Sequence, residues 1–319
     1  MNKKLFHAAA IALVASNVIN VTFAQEKNPK PNTQVSPTAT DKGVTDKVAS
    51  EKGQSEPVFV RIDRDAKGKA LAMQTAIISY TLGDDKWKDR QVDLIGAVHI
   101  AHRAYFQDLN KRFRDYDAVL YELVADPNAN IPQPQQDGNV RHPVGAIQVG
   151  MKDMLGLEFQ LDEINYKAKN FVHADMSPTE FAQDMTKRGD GFLSMFSRLM
   201  GSGIAAQSAQ AGKGQDMKVL AALLSNNREL KMRQAMAEQF ENMDAQLAGL
   251  NDASGRSTLV TERNVKAFEV LNEQLDAGKK KLAIFYGAGH LVDMDKRLMN
   301  DFKATRGKVT WLNAWNLAE

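Results

Sequence analysis

The sequence predicts an α/β fold. Its core is a central mixed, largely parallel sheet built from two pseudo-symmetric units, each running strand, Gly-x-x-His, helix, strand, with a large helical insert between them. Three observations predict it. The apolar run Val92 to Ile95 leads into Gly96-Ala97-Val98-His99, and Lys281 to Tyr286 leads into Gly287-Ala288-Gly289-His290. Each motif is followed by helical spacing and then by a second strand-like run. Such an order implies parallel strands with right-handed crossovers. Between the units, from about Val144 to Gly278, the apolar pattern is helical.

Taken in order, residues 1–24 read as an export signal. Lys3 and Lys4 are basic, Leu5 to Val18 is largely apolar, and Thr22-Phe23-Ala24 supplies small residues before Gln25. The apolar stretch is well short of the roughly 20 residues a spanning helix needs. Cleavage after Ala24, no stable membrane insertion afterwards and a periplasmic or secreted location are therefore expected. Residues 25–56 are rich in Lys, Pro, Thr and Ser without an aromatic residue. They bury too little to offset ordering entropy and read as a disordered linker.

The folded domain is expected over 57–319. Val58 to Ile62 and Met73 to Leu82 alternate as strands around Asp-Ala-Lys-Gly-Lys turn chemistry. Gly83 to Arg90 is a loop and Gln91 to Ile95 the first motif strand. Residues 101–114 have helical spacing, and Asp117 to Val124 is the next strand. Asp126 to Pro143 is a Pro-rich loop. The insert spans 144–278 and carries ten of the fourteen methionines. They read either as core filling or as an adaptable wall over a site. Within it, Ser177-Pro178 with Glu180 at the third helical position marks a helix start. Lys281 to Tyr286, a helix from His290 to about Ala304, and Lys308 to Asn313 complete the second unit.

The chain has 319 residues, 25% of them charged, and a formal net charge of +2, which gives no nucleic-acid footprint. With no cysteine, disulfides, thiolate metal sites and a cysteine nucleophile are excluded. There is no Gly-x-Ser-x-Gly elbow, P-loop, dinucleotide fingerprint or His-Glu-x-x-His.

Ligands of parallel α/β sheets bind beyond the carboxyl ends of the strands, where both motif histidines and Glu122 are expected. His99, His290 and Glu122 form a candidate shell for a divalent metal (Mn, Co or Zn), with Glu122 as ligand or general base. Gly96 and Gly287 would let the chain turn sharply and leave room for a ligand. A lone strand-end histidine is commonly a packing residue; two in one context favour a shared site. His173 and Asp175 could add a ligand or a general base, or form an ordinary loop. By spacing alone, Arg263 lies on a solvated helix face beside a Glu262–Lys266 pair. His102 and His142 read as surface residues.

These residues carry a resemblance. Val92 to His99, Tyr105, Asp115 to Val124, Glu262-Arg263-Asn264 and Phe285 to Leu291 resemble the TraB/GumN/TIKI family, in the right order over roughly 75–315. That group is related to erythromycin esterases and ChaN-like haem-binding proteins. The resemblance implies that His99, Glu122, Arg263 and His290 converge, and it makes Arg263 a candidate catalytic residue that stabilises an oxyanion. It implies a metal-dependent hydrolase, a metalloprotease using manganese or cobalt, with a peptide or small-molecule substrate. Haem binding through the same histidines, with Met151, Met154, Tyr166 and Tyr286 near the cleft, is the alternative, as is metal-free esterase chemistry. The chain departs from animal members in lacking a membrane anchor and in its Met-rich insert.

Overall fold

The structure, a computed structural model, describes residues 57–126, 154–188, 225–240 and 256–318. The expected leader and linker, His142 and Met151 lie outside the described residues, as does the Pro-rich loop from residue 127 onward.

Seven strands make one sheet: β1 (Val60–Arg64), β2 (Ala70–Thr81), β3 (Gln91–Ala97), β5 (Ala118–Tyr121), β7 (Phe171–His173), β8 (Lys281–Gly287) and β9 (Thr305–Asn316). β4 (Ile100–Ala101) and β6 (Glu158–Phe159) pair separately. The helices are α1 (Arg103–Phe113), α2 (Gln160–Glu163), α3 (Pro178–Lys187), α4 (Arg228–Phe240), α5 (Arg263–Asp276) and α6 (Leu291–Asp301). The sheet order is β1-β2-β3-β8-β5-β7, with β9 also on β2. The block β3-β8-β5-β7 is parallel, while β2 is antiparallel to β1, β3 and β9.

The parallel strands are apolar on both faces because helices cover both. Ile95, Val119, Ala283 and Phe285 pack on one side with Phe106, Leu109 and Phe113 of α1. Leu94, Leu120, Leu282 and Ile284 pack on the other with Leu271 and Leu275 of α5 and Leu291 and Leu298 of α6. Alternation along each strand thus feeds two cores. The β1–β2 turn is set by Asp65, whose Oδ1 accepts from the Lys67 and Lys69 amides at 2.9 Å, and by Gly68 at φ +81°.

The two crossovers leave adjacent strands on opposite faces. From β3 the chain passes over β8 through α1 to β5; from β8 it passes through α6 to β9 beyond β2. β9 and β8 therefore run the same way, although β9 pairs only with antiparallel β2. The oppositely directed exits put the topological switch point at the carboxyl ends of β3 and β8, where ligands of such sheets bind.

The stretch read as helical is not helical throughout, since β6 and β7 fall inside it. β7 has three residues, too few for alternation to register. Its pairing with β5 (Val119↔Phe171, Tyr121↔His173) gives it strand form. The Ser177 start is as expected: its side chain accepts from the Glu180 amide, and Glu180 accepts from the Ser177 amide. A π-helical turn, Thr258–Glu262, precedes α5.

Candidate active site

Each strand of the parallel block delivers one residue to the same edge of the sheet. β3 leads to His99, β8 to His290, β5 to Glu122 and β7 to Asp175. The two motifs sit one residue out of register on neighbouring strands, with Ala97 opposite Gly287. Glu122 continues the ladder after Tyr121, its amide donating to Phe285 O at 3.2 Å.

Glu122 is buried and both of its oxygens are engaged. Oε2 accepts from the Gly287 amide at 2.6 Å, and Oε1 accepts from Arg263 Nη2 at 2.7 Å. Burial alone would raise its pKa. Arg263, His290, His99 and the Gly287 amide outweigh burial and hold it at about 2, so it is an anion near neutral pH.

Arg263 is 2% exposed. Its Nε and Nη2 donate to Asp175 Oδ1 (2.9 Å) and Oδ2 (2.6 Å), the fork geometry that suits a carboxylate. Nη1 makes one long bond, 3.4 Å to Leu259 O. Burial opposes the Arg263 charge, but Asp175 and Glu122 more than offset it and raise its pKa. The solvated-face reading of Arg263 is therefore overturned. Glu262 pairs with Arg256 and Arg188, not with Lys266, which reaches Glu180 at 3.1 Å. Arg263 and Asn264 fall on the buried face of α5, in line with Ala267, Phe268, Leu271 and Leu275, and the π turn just before them is of a kind that recurs at functional sites.

Asn264 fixes His290. Its Nδ2 donates to His290 O (3.1 Å) and to Asp293 Oδ2 (2.8 Å), both obligate acceptors. Its Oδ1, 2.7 Å from His290 Nδ1, must then accept, so Nδ1 carries the proton. Burial lowers the His290 pKa to about 4 despite the pull of Glu122, which keeps the ring neutral near pH 7. Its Nε2 lone pair consequently faces the anionic Glu122 Oε1 at 3.5 Å. Two acceptors face each other, an arrangement that a cation or a proton donor between them would relieve.

His99 is partly buried, and its pKa is also lowered, chiefly by desolvation. Its Nδ1 lies 3.3 Å from Gln160 Oε1. With both imidazoles neutral, Glu122, Asp175 and Arg263 leave the cluster one negative charge. Neutral imidazoles anchored through Nδ1, in a net-negative pocket, fit a divalent cation. Among the described residues no group of three or more His, Cys, Asp or Glu stands ready to hold a metal ion. Glu122 leans instead on Arg263 and Gly287.

None of the family models, curated proteins or solved structures compared with the chain matches it.

The remaining candidates divide. Asp175 joins the cluster as the partner of Arg263, with Oδ1 also taking the Met176 amide at 2.8 Å. His173 serves the backbone: its Nε2 bonds Leu123 O at 2.7 Å. The Tyr286 hydroxyl donates to Ala174 O, and the Tyr166 hydroxyl accepts from Gln160 Nε2 at 2.8 Å. Both tyrosines, named as haem candidates, are buried. Sequence reasoning gave Asn264 no role and missed Gln160 and the Gly287 amide. Only Asn264, adjacent to Arg263 in the motif, carried a signal.

The glycines act by close approach rather than by sharp turning, for neither has a positive φ. A Cβ on Gly287 would lie 3.1 Å from Glu122 Oε2. One on Gly96 would meet Ala76 O at 3.3 Å and Leu291 Cδ1 at 3.5 Å, in the sheet and its covering helix. Gly96→Ala should therefore cost stability, about 1–2 kcal/mol. Gly287→Ala, whose contact is the tighter and falls on a carboxylate held by Arg263 and the Gly287 amide, should cost at least as much. Urea midpoints of both variants check this; an unchanged midpoint in either would contradict it.

Proposed function

We propose that the chain is an exported metal-dependent hydrolase, a peptidase of the TraB/GumN/TIKI type. The observation that carries this reading is the His290 Nε2 lone pair held toward the Glu122 carboxylate, inside a pocket with one surplus negative charge. His290, His99 and Glu122 would hold the ion. Manganese, cobalt or zinc bound there would supply a Lewis acid and lower the pKa of water.

The protein's own groups divide the remaining work. With its pKa near 2, Glu122 takes up protons poorly and suits a charge-holding role better than that of general base. Asp175 and Glu122 fix the Arg263 plane, and Nη1 is the edge left to meet a developing oxyanion. Asn264 keeps the His290 proton off the nitrogen that faces the site. In this reading the two strand–Gly-x-x-His–helix–strand units are related halves facing one site, and the stretch 144–278 is an insert between them. Export rests on the leader-like first 24 residues. Among the described residues no helix is long and apolar enough to cross a membrane.

The test is to purify the protein, determine bound metal, and follow cleavage of a peptide library before and after chelation. Activity should vanish on chelation and return with manganese, cobalt or zinc. Cleavage indifferent to chelators would indicate esterase-type chemistry instead. A Soret shift on haem titration, lost in His290→Ala, with no cleavage, would indicate a binding protein.

A further inference from the structure

His99 is gripped from two sides by one residue. The Gln160 amide donates to the His99 carbonyl at 2.8 Å, and the Gln160 side-chain oxygen stands 3.3 Å from His99 Nδ1. The side-chain nitrogen is held by the Tyr166 hydroxyl at 2.8 Å. Gln160 is 3% exposed, and Tyr166 is wedged by its ring against Tyr121 and Phe171. The backbone around the grip is rigid as well, because β4, which follows His99, pairs with β6, which precedes Gln160 (Ile100↔Phe159). Buried amides are ordinarily paired; what singles out Gln160 is that its main-chain N–H and its side-chain oxygen both address His99. It repeats, from an unrelated part of the chain, what Asn264 does for His290.

We infer that Gln160 is the positioning residue of His99, fixing the imidazole proton on Nδ1 and presenting Nε2 as a lone pair, as Asn264 does for His290. The two motif histidines thus carry matching amide locks, one from α2 and one from α5, and neither lock lies in a Gly-x-x-His motif. With the proton on Nε2, His99 would present a donor and could not serve as a ligand through that atom. The use made of the two lone pairs rests on the hydrolase reading, but the position of the proton does not.

The test is nitrogen NMR of the histidine rings in the metal-free, isotope-labelled protein at neutral pH. The rings are assigned with single His→Gln variants. His99 and His290 are both expected as Nδ1-protonated neutral rings. Gln160→Leu should shift the His99 tautomer ratio at least about fivefold, as the loss of one net hydrogen bond of ~1 kcal/mol does. It should leave His290 unchanged. Gln160→Glu, which keeps an acceptor oxygen, should restore the ratio. An Nε2-protonated His99 in the unaltered protein overturns the inference without recourse to any variant. So does a ratio indifferent to Gln160→Leu, or one that Gln160→Glu fails to restore. Absence of cleavage would sink the hydrolase reading and leave this spectrum as it is.

Discussion

Replacing Arg263 with methionine should destabilise the fold by about 3–5 kcal/mol, because it strands two buried carboxylates without their cation. Glu122 is 4% and Asp175 1% exposed, so neither can turn to water for compensation. Arg263→Lys keeps the charge but loses the fork that spans Asp175 Oδ1 and Oδ2, and should fall between the two. The double variant Arg263→Met with Asp175→Leu should be more stable than Arg263→Met alone, since it removes one of the stranded charges. Urea unfolding of these three variants, of Asp175→Leu alone and of the unaltered protein decides the matter. Strictly additive losses would mean that the three groups are not a coupled unit. A near-zero cost for Arg263→Met would mean that the cluster is open to solvent.

The metal-free protein should also lose stability on acidification, in two overlapping steps. His290 has a pKa near 4 when folded and 6.5 ordinarily, and Glu122 near 2 against 4.5. Both bind protons more weakly when folded. The unfolded chain therefore takes up the extra protons as pH falls, and stability falls with it. The His290 contribution is intact above 6.5 and lost progressively toward 4; that of Glu122 is intact above 4.5 and lost toward 2. His99, lowered by burial, adds in the same direction as His290. The urea midpoint should thus decline from pH 7 to pH 4, and less steeply in His290→Leu. A flat profile over that range, or an unaltered slope in the variant, would show that His290 is not held neutral by the fold.

Much of the site's position was legible because strand order and carboxyl ends follow from apolar runs and the strand–helix–strand rule. His99, His290 and Glu122 were placed at one edge from those runs alone, and their strands are adjacent. Arg263 was not legible from spacing. Its charge argued for a solvated face, and what holds it inside is a pair of buried carboxylates 141 and 88 positions away in sequence. Gln160 was invisible because a four-residue helix has no period to read, and its partner lies sixty-one positions away. The strand Phe171–His173 was hidden for the same reason of length.

The sequence by itself determined the α/β class, the two Gly-x-x-His exits and the residue types that meet there, because these depend on local apolar patterning and on chemistry fixed by composition. Only the tertiary structure decided what each group does at the edge. Asp175 became the partner of Arg263 rather than a free carboxylate, His173 a brace for the backbone, and Asn264 and Gln160 the keepers of the two imidazoles. Those roles depend on hydrogen bonds between residues 26 to 88 positions apart, and on burial that sets which form of each group carries charge. Neither is encoded in any window of neighbouring residues.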